Sequence, residues 1–90
     1  MRNKSYYLFV FHSTHAAMEA QKILSDCNPI IMPTLRKIAA TCGISIRIGE
    51  DKIEEAKNLI SSSFMDKDMV VLYYVDQTGK EEMILKIELV

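Results

Sequence analysis

Cysteine is scarce in this sequence, with two residues in a chain of 90. Two cysteines are too few for the disulfide scaffold of a small secreted domain. No Cys-x-x-Cys pair is present, and we expect neither a bound metal nor another cofactor. The thiols are expected to stay reduced, which makes the cytoplasm the expected location.

An excess of charge of either sign is also missing. The formal net charge is −1, and a near-neutral chain lacks the basic surface that nucleic acids require of a partner. No apolar stretch approaches the roughly 18 residues of a membrane span, so no membrane partner is expected. The apolar run Tyr6–Phe11 follows two cations but is interrupted at His12, which favours a strand over a signal peptide.

The composition is that of one small globular domain over residues 1–90, with 49% hydrophobic and 26% charged residues. The continuous apolar run over 6–12 predicts a central strand that is buried on both faces. Further strands are predicted at 30–32, 44–48, 69–75 and 83–90. The last two form a C-terminal hairpin around the turn at 76–79.

Helical periodicity predicts a first helix at 14–26, which Asn28-Pro29 ends. A second helix is predicted after an acidic N-cap within 49–51. Its apolar face comprises Ile53, Ala56, Leu59, Ile60 and Phe64. One or two helical turns are also predicted over 36–41, with Ile38 and Ala39 turned inward.

The order of these elements predicts an α+β fold, a ferredoxin-like β-α-β-β-α-β sandwich with an extra C-terminal strand. Its sheet is expected to be antiparallel, with both helices on one face. Strands 1 and 3 should lie side by side in the centre, and the fifth strand should extend one edge. Pro33, which ends the second strand, is typical of the other edge.

Cys42 is the residue with the most suggestive chemistry. Arg36 and Lys37 precede it by six and five residues, and nearby cations favour a thiolate. In the predicted fold, the segment 12–15 faces Cys42-Gly43, so the thiol would lie near the unpaired amides of the first helix. A cysteine at such a helix end can have its pKa lowered from about 8.5 to roughly 3.5–7.5.

Each candidate also has a plain structural explanation. Cys42 is a small hydrophobe that cores accommodate well, and Cys27, on the buried face of the first helix, is expected to be structural and unbonded to Cys42. Ser13 and Thr14 can serve simply as helix caps, and His15 can be an ordinary surface residue. Arg36 can lie over apolar surface, and Gly43 can simply end a turn.

A set of residues in order along 6–62 carries a family resemblance: Phe11, Ser13, Thr14, Ala16 or Ala17, Pro33, Arg36, Cys42 and Gly43. With this set the chain resembles a family of small bacterial domains described as selenium/sulfur carrier-like. The C-terminal hairpin at 69–90 lies outside the resemblance.

The resemblance implies a covalent carrier more than an enzyme. Cys42 would hold sulfur or selenium as a persulfide or selenenylsulfide, and the partners would be sulfur or selenium donor and acceptor proteins. The expected binding residues around the terminal atom are Ser13, Thr14, His15, Arg36 and Gly43.

Two further functions are compatible with the sequence. The chain is alternatively a non-catalytic ligand-binding or dimerisation module, since a ferredoxin-like fold does not fix function. A homodimer through the apolar edge strand of the C-terminal hairpin is then expected. The third possibility is a redox sensor in which Cys42 is oxidised to sulfenic acid, although no second cysteine lies nearby in the sequence to resolve it.

Overall fold

The computed structural model describes residues 5–35, 38, 43–63 and 67–87. These residues form two α-helices, α1 (Thr14–Ile23) and α2 (Ile53–Ser62). The five strands are β1 (Ser5–Phe11), β2 (Ile30–Pro33), β3 (Ile44–Ile48), β4 (Val70–Asp76) and β5 (Met83–Ile87). The predicted α+β class is therefore confirmed.

The five strands form one sheet in the order β2-β3-β1-β4-β5, and every neighbouring pair is antiparallel. The predicted pairing of β1 with β3 is observed, and β2 and β5 lie at the two edges. Val10 lies opposite Ser45, so the end of β1 adjoins the start of β3. This arrangement is compatible with a ferredoxin-like fold.

One face of the sheet is covered by both helices. Phe9 and Phe11 of β1 point to this side, where they pack with Ala20 of α1 and with Ala56 and Ile60 of α2. Small alanines let each helix approach the sheet closely, and large strand residues fill the space between them. The main hydrophobic core therefore lies between the sheet and the helices.

The opposite face of the sheet carries a second, smaller core, which contains Tyr6, Leu8 and Val10 of β1. In the described part of the chain, its cover includes Leu35 and Ile38, which follow β2. Because successive strand residues point to opposite faces, β1 contributes to both cores. The prediction of a central strand buried on both faces is thus confirmed.

The first helix is shorter than predicted. It ends at Ile23, and Ser25–Cys27 form a 3₁₀ turn instead of a continued α-helix. Asn28 then adopts the left-handed region with φ 54°, just before Pro29. Leu24, the C-cap of the helix, and Cys27, in the turn, are both buried, so the apolar spacing continues after the α-helix has stopped.

The predicted acidic N-cap of the second helix is wrong. Lys52 occupies that position, and its side chain makes no capping hydrogen bond. The Asp51 carboxylate lies against Gly49 instead, because a Cβ built on Gly49 would meet Asp51 Oδ1 at 2.8 Å. Of the predicted turn over 36–41, only Ile38 is described, and it is half-buried. Ala39, Phe64 and residues 88–90 lie outside the described residues.

Candidate functional site

A pocket of about 380 Å³ opens where β1 ends and α1 begins. Its walls come from four separate parts of the chain, because β3 and β4 flank the end of β1. The lining residues are Val10, Phe11, His12, Ser13, Thr14, Thr34, Ile38, Gly43, Ile44, Val71 and Tyr73. The pocket thus combines an apolar floor with several hydroxyl groups.

The helix start in this wall is fixed by Ser13. Its backbone is extended (φ −149°, ψ 154°), and its Oγ accepts a hydrogen bond of 3.1 Å from the Ala16 amide. The His12 amide donates to the Met69 carbonyl oxygen at 2.9 Å, which holds the segment beside the start of β4. The interpretation of Ser13 as a helix cap is confirmed, and the cap also sets the shape of the pocket.

The opposite wall is held by contacts between Thr34 and Gly43. The Thr34 amide donates to the Gly43 carbonyl at 3.0 Å, so the β2–β3 ladder extends one pair beyond Pro33 and Ile44. A Cβ built on Gly43 would meet Thr34 Oγ1 at 3.0 Å, which is tighter than most real contacts. Glycine at 43 therefore keeps this wall closely packed.

A buried hydroxyl pair supports the same wall. Thr34 Oγ1 and Ser45 Oγ lie 2.6 Å apart, and Ser45 is fully buried. Since a buried hydroxyl without a partner is costly, this hydrogen bond fixes the Thr34 side chain at the pocket wall.

The predicted binding residues separate into two groups. Ser13, Thr14 and Gly43 line one pocket, as their predicted proximity requires. His15 is not among its lining residues, because its side chain is 87% exposed and its Nε2 lies 3.7 Å from Glu19 Oε1. The surface interpretation of His15 is the one that its environment supports.

Cys42, Arg36 and Lys37 lie outside the described residues, so their predicted roles stay predictions. Gly43, which follows Cys42 directly in the chain, lines the pocket. One of the residues that line the pocket is therefore the direct sequence neighbour of the predicted carrier cysteine.

The other cysteine is in a different environment. Cys27 is 1% exposed and packs in the main core, which confirms its structural role. Burial raises the pKa of the Cys27 thiol, and the nearby Glu55 carboxylate raises this pKa further. A thiol that stays protonated is a poor nucleophile, because the thiolate is the reactive form.

Thr34 and Tyr73 were not singled out by the sequence patterns, yet both line the pocket. Thr34 follows a strand that ends in proline, and this position alone gives no chemical signal. Tyr73 enters the wall because β4 pairs with β1, with Leu8 opposite Tyr73. Only the long-range pairing of the strands identifies it.

Neither a metal site nor a membrane span is found where the structure is described. His12 and His15 are three residues apart, but no group of three or more His, Cys, Asp or Glu residues in the described ranges could hold a metal ion. None of the helices formed by these residues is both long enough and apolar enough to cross a bilayer.

Comparison with known proteins gives one family and no individual relatives. No curated protein and no solved structure matches the chain significantly. A family model matches residues 6–66, which is most of the chain and includes every residue that carries the resemblance in the sequence. The chain therefore belongs to the family described as "Putative Se/S carrier protein-like".

Proposed function

We propose that this protein is a sulfur or selenium carrier that holds the atom on Cys42. The observation that carries the proposal is the pocket between the α1 N-terminus and Gly43, the residue bonded to Cys42. The family to which the chain belongs supports the same function.

The environment of Cys27 supports Cys42 as the carrier by elimination. The sequence contains two cysteines, and Cys27 is enclosed in the main core with a raised thiol pKa. A carrier thiol must meet donor and acceptor groups and must ionise readily, and Cys27 meets neither requirement. A covalent carrier function therefore falls to Cys42.

The proposed chemistry is an exchange between sulfur atoms. The Cys42 thiolate attacks the outer sulfur of a donor persulfide, a new S–S bond forms, and the donor's own S–S bond breaks to release its thiolate. A selenenylsulfide donor transfers selenium in the same way. In the second exchange an acceptor thiolate attacks the outer atom, and Cys42 leaves as thiolate, so no external oxidant or reductant is required.

The pocket provides suitable surroundings for the terminal atom, which carries negative charge. The first amides of α1 carry the partial positive charge of a helix N-terminus, and Ser13 and Thr14 add hydroxyl groups. Arg36 is proposed as a further positive group. Val10, Phe11 and Ile44 add apolar surface to the pocket.

We also infer that the fold is ferredoxin-like, with β5 as an added edge strand. The order β2-β3-β1-β4 and the placement of both helices over one face support this assignment. The carrier proposal further requires a reducing compartment such as the cytoplasm, where the thiol is available, and protein donors and acceptors.

The first test is the pH dependence of Cys42 alkylation in a Cys27→Ser variant. We expect alkylation of the folded protein at pH values below those needed for a free thiol, whose pKa is about 8.5. Mass spectrometry after exposure to inorganic polysulfide should then show the mass increase of one added sulfur atom, which a reducing agent removes.

The matched control is Cys42→Ser, with Cys27 left in place. This variant should gain no sulfur while folded, because its remaining thiol is enclosed in the core. The carrier proposal is wrong if Cys42 reacts only after unfolding, or if polysulfide loads the Cys42→Ser variant as well as the native protein.

A further inference from the structure

The outer edge of β5 exposes large apolar side chains. Met83 and Leu85 are 49% and 48% exposed, and both point to the helix side of the sheet. In the described part of the chain, β5 pairs with β4 alone, so its other edge has no partner strand. An exposed apolar edge of this kind favours pairing with another strand.

On the other face of the sheet, opposite charges lie directly before β5 and near its end. Ile84 and Lys86 point to this face, since they lie opposite Val75 and Tyr73. Glu82, directly before β5, follows the same alternation. Burial raises the pKa of Tyr6, which lies in the core of this face, and the nearby Glu82 carboxylate raises this pKa further. The face therefore presents Glu82, Ile84 and Lys86 in a row.

We propose that β5 pairs antiparallel with β5 of a second copy, with Ile84 on the two-fold axis. This register sets Glu82 opposite Lys86 of the other copy on both sides of the Ile84 pair. On the helix side, Met83 lies opposite Leu85, so the exposed apolar side chains cover each other. The result is one continuous ten-stranded sheet, with the helices of both copies on one side.

Charge complementarity distinguishes this register from its neighbours. In an antiparallel pair, directly opposed residues point to the same face of the sheet. When the two strands are related by a two-fold axis, that axis must therefore pass through a residue, and the possible registers differ by moving it to the next residue. An axis at Leu85 sets Lys86 against Ile84, and an axis at Lys86 sets two ammonium groups together. Among the axes at Met83, Ile84, Leu85 and Lys86, all within the described β5, the axis at Ile84 alone joins opposite charges.

The first experiment is sedimentation equilibrium of the native protein and charge variants, over concentrations up to several hundred micromolar. We expect a weak dimer, because two paired edges bury little area. Lys86→Glu and Glu82→Lys should each weaken it roughly tenfold, since each creates two like-charge pairs. The double variant Glu82→Lys/Lys86→Glu restores opposite charges and should recover the native affinity.

Cross-linking tests the register directly, in a Cys27→Ser/Cys42→Ser background. Ile84→Cys should form an intermolecular disulfide, because directly opposed Cα atoms lie about 4.5–5.5 Å apart. Leu85→Cys is the matched control. In this register the two residues at position 85 lie diagonally across the strand pair, about 7–8 Å apart, which is too far for a disulfide to form readily. A native protein that stays monomeric, single reversals without effect, or equal cross-linking of both cysteine variants would overturn the proposal.

The dimer proposal and the carrier proposal are tested independently, so either can be wrong while the other holds. Cys42 is absent from the cross-linking background, so those results do not depend on sulfur transfer. Alkylation of Cys42 likewise does not depend on β5, which is the reason that the two proposals can be judged separately.

Discussion

The two faces of the sheet are covered in different ways. On the helix side, the cover includes Ala20, Ala56 and Ile60, which are fully buried on regular α-helices. On the other side, the described cover includes Leu35 and Ile38, which are half-buried and belong to no helix or strand. Among the residues that the structure describes, the helix side therefore has the better-packed cover.

The candidate site lies where the weaker cover begins. Ile38 contacts the second core and also lines the pocket, whereas no residue of α2 lines it. Segments with fewer buried contacts are those that open at low cost, and binding loops are drawn from them. The comparison indicates that the helix-side core maintains the fold, while the pocket borders both cores and reaches the more weakly covered face through Ile38.

The largest effect is expected from Ile60→Ala, which opens a cavity in the helix-side core. Ile60 is fully buried, and such truncations cost about 2–5 kcal/mol of unfolding free energy. Urea denaturation measures the change, with exposed Met18→Ala as control. A loss similar to that of Met18→Ala would remove the distinction between the two faces.

The next effect is expected from Thr34→Ala, which leaves the buried Ser45 hydroxyl without its partner. An unsatisfied buried hydroxyl costs about 1–3 kcal/mol of unfolding free energy. The double change Thr34→Ala/Ser45→Ala removes both hydroxyls and should cost less than the two single losses added together. Strict additivity in urea denaturation would show that the two hydroxyls are not energetically coupled.

A smaller effect is expected from Ile38→Ala, the same substitution as Ile60→Ala but in the weaker cover. Because Ile38 is half-buried, its truncation should cost less than about 1.5 kcal/mol. It should nevertheless change the alkylation rate of Cys42, since Ile38 lines the pocket. Equal stability losses for the two isoleucines would contradict the comparison.

The smallest effect is expected in the pH dependence of the unfolding free energy, to which the Cys27 thiol contributes. It is measured in a Cys42→Ser background. The folded state raises the pKa of Cys27, so the unfolded chain releases the proton first, near pH 8.5. Stability contributed by the protonated thiol is complete below that pH and is lost as the pH rises, by at most about 1.4 kcal/mol per pH unit.

The control for this pH dependence is Cys27→Ala in the same Cys42→Ser background. Both proteins retain Tyr6 and Tyr7, whose pKa values are also raised by burial, so the tyrosines contribute equally. The difference between the two unfolding curves isolates Cys27. Parallel curves above pH 8.5 would mean that Cys27 ionises as easily in the folded state as in the unfolded state.

Much of the fold was predictable because its signals are local. The apolar run of β1 indicated burial on both faces, and the alternation in β3 matched Ile44–Ile48 in full. Asp76 and Thr78 formed the expected turn, with the Asp76 carboxylate accepting from the Thr78 amide at 2.9 Å. Periodicity failed at the end of α1, because a 3₁₀ turn buries Leu24 and Cys27 much as a helix would.

The site was less predictable, because it depends on pairings between distant strands. Ser13, Thr14 and Gly43 followed from the expected adjacency of β1 and β3. The place of Tyr73 in the pocket follows only from the pairing of β4 with β1, and that of Thr34 only from the register of the β2–β3 ladder. Such features arise from the tertiary arrangement and leave no periodic pattern in the sequence.

The prolines around β2 have a consequence for polymerisation. The strand is four residues long, Pro29 precedes it and Pro33 ends it, and proline nitrogens cannot donate to an added strand. An assembly that joins two β5 edges leaves only β2 edges exposed at its ends. For such an assembly we expect strand addition beyond two copies to be disfavoured, which would protect a chain with an apolar edge from forming fibrils.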